Sequence, residues 1–373
     1  MAAPPFQPTP SSSTVNSLSL AYDALLIVSF GGPEGPDDVL PFLENVTRGR
    51  NIPRGRLLEV AKHYEQFGGV SPLNAEIRAL LAKLVQELNA QGSHLPVYWG
   101  NRNWHPLLTD VVQQMADDGI KHALAFVTSA FGSYSGCRQY REDIARTRQE
   151  VGDKAPQIDV IRRFYNHPGF IESVVDRVRA ALGELPDNRR EKAALIFTAH
   201  SIPVAMANSG PYEAQLRESC RLVADAVPHP NWQLAFQSRS GPPSQPWLEP
   251  DVESVVRAVA AKGEAREVAI VPIGFLHEHM EVIFDLDVEV HELCEALNLT
   301  MVRAETPGLH PRFVRMIREL IIERTSPGSP RLALGPDGPP PDGPSPLECR
   351  EGCCQVAKSE SRNPKSETNK QCE

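Results

Sequence analysis

Eight short apolar runs, each closed by turn residues and separated by stretches at helical spacing, limit what this chain can become. They lie at 22–29 (YDALLIVS), 95–99 (LPVYW), 123–129 (ALAFVTS) and 157–161 (QIDVI), then at 193–199 (AALIFTA), 232–236 (WQLAF), 267–274 (EVAIVPIG) and 299–302 (LTMV). Continuous apolar runs of this length suit strands buried on both faces, which is the habit of parallel sheets. The intervening segments 73–89, 168–183 and 251–262 carry apolar residues at helical spacing. Strand and helix in alternation, four strands and then four more, predict an α/β chain of two similar doubly wound halves, each with a four-stranded parallel sheet. The halves meet near residues 180–190, and PDNRREK at 186–192 reads as the crossover. Ligands of such sheets bind at the carboxyl ends of the strands. The loops to inspect are therefore those at Phe30, Trp99–Trp104, Ser129–Cys137, His200 and Phe275–Glu281.

The two ends read differently. Pro makes up 34 of 373 residues, against a usual share of about 5%, and the excess gathers at the termini. Residues 1–20 hold four Pro, five Ser and two Thr without Lys or Arg, the composition of a disordered leader rather than a secretory signal. Residues 327–346 hold eight Pro and four Gly, which suits a semi-rigid extended linker. The expected division is a leader at 1–20, halves at 21–185 and 186–325, and a linker with a cysteine-bearing tail at 326–373. No run of 18 uncharged apolar residues occurs, so a membrane-spanning helix is not expected. The formal net charge of −9 argues against nucleic acid as a partner, because phosphate binding needs surplus Lys and Arg. Cys349, Cys353, Cys354 and Cys372, four of the seven cysteines, crowd into the tail. A reducing cytoplasm is the default expectation, and a disulfide framework is not.

Three segments could carry chemistry. The turn Phe30-Gly31-Gly32-Pro33-Glu34-Gly35 misses the dinucleotide-loop spacing, and Pro33 removes an amide that would face a phosphate. A tight strand-to-helix turn is the better reading. In FTAHSIP, the apolar strand ends on His200. Downstream, Glu278, Glu281, Asp285, Glu289 and Glu292 recur at steps of 3, 4, 4 and 3, so an α-helix would carry five carboxylates in one row. Ile283, Leu286, Val290 and Leu293 would face the core. A solvated acidic face is the bland reading. Against it, like charges at i,i+4 repel, and no Lys or Arg is interleaved to relieve them. Carboxylates with an imidazole suit a divalent metal or a proton relay.

FTAHSIP and PIGFLHEHMEVIFDLDVE together resemble the ferrochelatase family, which inserts ferrous iron into a porphyrin. The likeness extends through LLIVSFGGPEGPDDVLPFLENVTRGR, HYEQFGGVSPLN, PVYWGNRNWHP, SYSGCRQYREDIAR and FQSRSGPPSQPWLEPDV, and covers residues 22–325. The wording is most similar to the actinobacterial type, whose substrate is taken to be coproporphyrin III rather than protoporphyrin IX. The resemblance implies two Rossmann-like halves with a porphyrin cleft between them, and Fe²⁺ as substrate. It makes His200 and Glu281 the facing pair that handles iron and pyrrole protons, with Asp285 and Glu289 as an acidic path toward the surface. It makes Ser71 and Tyr140 holders of substrate carboxylates, with Phe30, Arg48 and Tyr64 alongside them as substrate-binding positions. Phe30 stands where some relatives carry a Tyr that can ligate the product iron, which removes that ligand here. Actinobacterial relatives also hold a [2Fe–2S] cluster by one Cys of the body and three of a C-terminal extension. The corresponding residues are Cys137, Cys349, Cys353 and Cys354, with Cys372 as a substitute for one of the adjacent pair. At about 3.1 Å per residue, an extended Pro-rich linker of this length spans on the order of 60 Å, enough to return the tail to Cys137.

Other readings stay open at this point. A porphyrin or haem carrier would keep the cleft but has no need of both His200 and Glu281. A cobalt or nickel chelatase could use His277 or His279 as a further nitrogen ligand. Trp99, Trp104, Tyr134 and Phe131 would offer flat contacts to the ring unless they are core aromatics, and Arg48, Arg50 and Arg102 could meet propionates. The expected partners are a porphyrin and, transiently, enzymes of the haem pathway.

Overall fold

The computed structural model describes residues 22–50, 52–335, 343–349 and 352–354; the expected leader and Cys372 lie outside them. All eight expected strands form. The first sheet contains β1 (Ala24–Ser29), β2 (Val97–Asn101), β3 (His122–Val127) and β4 (Gln157–Val160), and the second contains β5 (Ala194–His200), β6 (Trp232–Gln237), β7 (Glu267–Val271) and β8 (Thr300–Arg303). Every pairing is parallel. The strand orders are β2-β1-β3-β4 and β6-β5-β7-β8, so the second half repeats the topology of the first.

The period-two alternation of each strand assigns its side chains to two layers. On one face of the first sheet, Leu26, Val28, Ala125 and Val127 pack under the helices Leu108–Asp117 and Gln139–Val151. The other face points Leu25, Ile27, Leu124 and Phe126 into a cluster that also takes Leu195 and Phe197 from β5. The helices Pro168–Gly183 and Pro311–Thr325 fill that shared layer through Phe170, Val174, Phe313 and Ile317. The last of these helices leaves the second half and returns to the first, where Arg318 meets Glu87 at 2.9 Å and Arg324 meets the Tyr22 hydroxyl at 3.0 Å. Packing thus crosses the chain boundary drawn at residue 186.

The Pro-rich linker is not a free spacer over its described part. Arg162 and Glu323, whose side chains are 1% and 4% exposed, form a two-point pair at 2.6 and 2.8 Å. Arg162 also donates to the Leu332 carbonyl at 2.8 Å. Leu334 and Asn166 bond through their backbones at 2.8 Å, and the Gly343 carbonyl accepts from Tyr165 and Asn166 at 2.9 and 3.0 Å. Most of these bonds have carbonyls of the segment accepting from buried side chains of the body, while the Leu334 amide donates back to the Asn166 carbonyl. Composition predicts a semi-rigid extended linker; its described part is docked on the body by these bonds.

Between β1 and β2 the chain makes an excursion of two helices, Pro36–Val46 and Arg54–Glu65, with a small core of their own from Phe42, Leu43 and Leu57. The two legs of this lid touch at its base. Gly69 has φ +77°, and a Cβ there would lie 2.4 Å from the Pro36 Cα. Gly31, at φ +85°, likewise has no room for a side chain against Asn101, 2.9 Å away. Close packing against Asn101 and Ser71 accounts for Gly31 and Gly32 of this turn.

Of the four aromatics expected near a ring, Phe131 belongs to the core, and Trp99 and Trp104 are half-buried at its margin. Phe131 is 2% exposed and packs edge-on to Phe170 and Tyr212. Trp99 lies beneath Arg78, and Trp104 packs on Phe42. Tyr134 opens a π-helical turn, Tyr134–Arg138, and donates to Glu142 at 3.0 Å.

Candidate active site

His200 is the last residue of β5, at the carboxyl edge of the second sheet. Its Nδ1 is pinned on the Ser201 carbonyl. A carbonyl only accepts, so the proton of the neutral ring sits on Nδ1 and the lone pair on Nε2. That Nε2 lies 3.7 Å from Glu281 Oε1. Behind the ring, the Tyr212 hydroxyl donates to the His200 carbonyl at 3.0 Å.

The carboxylate segment departs from the expected single row. A short α-turn, Met280–Val282, passes into a π-helix over Ile283–Val290. Hydrogen bonding from i to i+5 widens each turn, so residues spaced for an α-helical face fan apart. Glu278 turns back to Arg303 at 3.2 Å and to the Thr306 amide at 3.0 Å. Asp287 holds Arg303 at 2.5 and 2.9 Å. The relieving cation that the helix itself lacks thus comes from β8. Glu281 faces His200. Asp285 accepts from Ser238 and, at 3.2 Å, from Gln237. Gln237 is 2% exposed and also takes the Glu281 carbonyl at 2.8 Å, a backbone group that the widened turn leaves within its reach. Glu289 lies outermost, in the field of Glu253, Asp251 and Glu292.

Environment grades these groups. Burial opposes ionisation of Glu281, but the charge and hydrogen bond of His200, helped by His279, overcome it and hold the carboxyl at about 2. Burial likewise opposes protonation of His200. The charge and hydrogen bond of Glu281, the Ser201 carbonyl and the charge of Asp285 outweigh it, so the imidazole titrates above its ordinary 6.5. Burial pushes Asp285 up to about 7, with Glu281 and Glu289 adding to the rise and Ser238 and Gln237 opposing it. The result is a permanent carboxylate, a base that is neutral only above its raised pKa, and a carboxyl that shares its proton near neutrality. A base at His200 would have to be neutral to accept a proton, so with that role kcat/KM is expected to fall as pH drops through a value above 6.5. A pH–rate profile flat from pH 5 to 8 would contradict this assignment.

The remaining expected residues are placed as follows. Tyr64, on the lid, lies close enough to Glu281 for the carboxylate charge to add to the rise that burial gives its phenol. The neighbouring His63 stacks on Phe284 at 3.9 Å and 10°, so the lid rests on the π-helix. Phe30 is exposed beside Phe42, and Arg48 is exposed and bonded to Asn45. Ser71 and Tyr140 lie below the surface, at 4% and 5% exposure. Ser71 sits behind Gly32, and Tyr140 lies under the Arg102 guanidinium at 4.5 Å. Arg102 is paired with Asp143 at 2.5 Å and is not a free propionate partner. His277 is 2% exposed and walled in by Gly308, and burial pushes its imidazole down to about 3. It has no access to a metal ion. His279 does belong to the site, within the fields of Glu281 and His200.

Cys137 is buried in the π-helical turn after β3, and the tail thiols of Cys349 and Cys354 lie near enough to influence it. Cys349 lies within hydrogen-bonding reach of Cys137, and this bond, with the charges of Arg163 and Arg141, holds the Cys137 thiol well below its usual range against the effect of burial. Cys353 and Cys354 have their sulfurs 3.5 Å apart, and Cys137 and Cys354 feel each other's charge. Among the described residues, no three His, Cys, Asp or Glu groups stand ready to hold a single metal ion.

The ferrochelatase family model matches residues 22–325. A ferrochelatase of Rhodopirellula baltica is 52% identical over 336 residues, covering 89% of this chain and 93% of that one. The chain belongs to the ferrochelatase family. A coproporphyrin III ferrochelatase of Nocardia farcinica is 49% identical over 345 residues, 90% of this chain and 97% of that one. Among solved structures, SirB from Bacillus subtilis with Fe³⁺ aligns over 82% of this chain and 98% of that one, at a TM-score of 0.49 and 14% identity. As a ferrochelatase, the protein is a metal chelatase with Fe²⁺ as substrate. Sequence reasoning missed Tyr212, Gln237 and Ser238. Each acts through a contact between distant segments, and Ser238 adopts a left-handed φ of +59°, so no local pattern marks them.

Proposed function

We propose that this ferrochelatase inserts Fe²⁺ into coproporphyrin III, with His200 and Glu281 as its catalytic pair. The observation that carries this reading is the graded set His200, Glu281 and Asp285 at the carboxyl edge of the second sheet. Metallation releases two pyrrole protons: neutral His200 takes one at Nε2, passes it on to Asp285, whose carboxyl titrates at about 7, and then takes the second. Glu281, ionised throughout, offers Fe²⁺ an oxygen and stabilises the imidazolium that forms. Asp285 and Glu289 lead from that pair toward the surface and can pass protons or iron along. Binding that bends the macrocycle turns nitrogen lone pairs toward the metal, with the strain supplied by contacts elsewhere on the ring. The two-helix excursion, seated on Phe284 through His63, flanks this space, while Glu281 stays half exposed to admit a porphyrin.

Coproporphyrin III carries four propionates where protoporphyrin IX carries two. Exposed Arg48 and Arg50 near the end of the first lid helix suit the more anionic ring, and relatives of similar length bear the coproporphyrin name. Anaerobic Fe²⁺ insertion run in parallel on both porphyrins tests the choice. The expected result is a kcat/KM ratio favouring coproporphyrin III; a ratio favouring protoporphyrin IX overturns it.

The thiol set also fits a [2Fe–2S] cluster, held by Cys137, Cys349, Cys353 and Cys354. Four cysteine thiolates are the donor set of such a cluster. Here they gather as two close pairs, Cys137 with Cys349 and Cys353 with Cys354. Arg163 is 6% exposed and Arg138 donates to the Cys353 carbonyl at 3.1 Å, so positive charge faces the thiolates. When bound, the cluster supplies one-electron redox chemistry and a rigid anchor for the tail. No described helix is long and apolar enough to cross a membrane. A cytoplasmic setting, with transient contacts to neighbouring enzymes of haem synthesis, accords with this reading.

A further inference from the structure

The last described residues of the tail wedge into a three-way junction behind His200. Cys354 is 2% exposed. A Cβ added at Gly210 would come within 3.0 Å of its Sγ and 3.3 Å of the Gly132 carbonyl. On the side of the first half, Arg138 donates to the Cys353 carbonyl, and the Gly132 amide is tied to Gln215 Oε1 at 2.7 Å. Gln215 belongs to the helix Tyr212–Ala226 of the second half. Two residues beyond Gly210 stands Tyr212, 8% exposed, with its ring edge-on to Phe131 and its hydroxyl on the His200 carbonyl. An unbroken run of contacts therefore leads from Cys354 through Gly210, Pro211 and Tyr212 to the backbone of His200.

We infer that the cysteine tail is a cross-brace for the catalytic histidine, acting through the turn at Gly210 and the hydroxyl of Tyr212. Tyr212 is then a positioning residue, and the state of the tail thiols bears on metallation without any contact with porphyrin. This inference rests on the reading of His200 given above and does not require that a cluster be bound. Packed interiors shift between discrete arrangements rather than deforming smoothly, so displacing Cys354 moves the turn as a unit.

The test uses three single variants of the full chain and two doubles. Gly210→Ala presses a methyl against Cys354, Cys354→Gly removes the tail's side of the contact, and Tyr212→Phe deletes the hydroxyl alone. Small displacements remote from the reacting atoms can cost as much as about 100-fold. Each single variant is expected to lower kcat by on the order of 10-fold or more while the porphyrin KM stays at its wild-type value. Each double variant with Tyr212→Phe should be no slower than the slower single, because both changes act along one route. A second readout is independent of turnover. Alkylation of Cys354 in metal-free protein, followed by mass spectrometry, should quicken in Gly210→Ala and stay unchanged in Tyr212→Phe. Wild-type kcat in both Gly210→Ala and Cys354→Gly overturns the brace, as do losses that simply multiply in the doubles. Retention of turnover by His200→Ala overturns the reading of the histidine instead, so the two failures are distinguishable.

Discussion

His200→Ala is expected to abolish metallation while porphyrin still binds. Removing the imidazole deletes the lone pair proposed to take the pyrrole protons and leaves Glu281 without its partner at 3.7 Å. Positioned acid–base groups contribute about 10²–10⁴-fold, and loss of metal positioning adds to that. In the proposed reading the ring is held by contacts away from the His200 imidazole, so quenching of porphyrin fluorescence should report an affinity near that of the unaltered protein. Glu281→Gln separates charge from shape. Without the carboxylate, His200 loses the largest influence that raises its pKa, so the acid limb of the pH profile moves to lower pH while the plateau drops by roughly the same 10²–10⁴-fold. An acid limb that stays in place would show that the two side chains are not coupled. Turnover at the wild-type rate in His200→Ala would end the assignment altogether.

Legibility in the sequence followed the physical reach of each pattern. Strands were visible because burial on both faces forces continuous apolar runs, and Leu25 to Val28, all fully buried, leave no other reading of β1. His200 was visible because a polar ring closes such a run at the edge where these sheets bind ligands. The carboxylates were visible as residues but not as a geometry. Their spacing fits an α-helical row, and nothing local announces a π-helix whose widened turn is met by Gln237 at the end of β6, by Ser238 just after it and by Arg303 from β8. The same limit applies to the aromatics. Flat residues in loops look alike from sequence whether they meet a ring or one another, and Phe131 meets Phe170 and Tyr212. The Pro-rich segment misled for a different reason. Composition describes a chain's own stiffness, whereas docking depends on donors elsewhere, here Arg162, Tyr165 and Asn166.

Those donors bear on the expected fate of Cys137→Ser. The linker is fastened at Leu332, Leu334 and Gly343 before it reaches Cys349, so the tail thiols are delivered to Cys137 by the body, whatever they hold. Cys137 with Cys349 and Cys353 with Cys354 are already paired in the folded chain, so less ordering entropy remains for a cluster to offset than with thiols scattered along a loose tail. Anaerobically purified protein should be red-brown, with iron and acid-labile sulfide in near-equal amounts. A hydroxyl is a far poorer iron ligand than a thiolate. Cys137→Ser should therefore bleach that absorption and lose the sulfide, while the far-ultraviolet circular dichroism of the two sheets stays unchanged because the packing around residue 137 is nearly isosteric. The tail should remain docked in the bleached protein, since Arg162, Tyr165 and Asn166 are untouched, and limited proteolysis between residues 326 and 349 should then proceed no faster than in the parent. Colourless full-length parent protein without labile sulfide would remove the cluster and leave the four thiols as a structural pin. Rapid cleavage of the linker in the variant would show the opposite dependence, with the cluster rather than the body holding the tail in place.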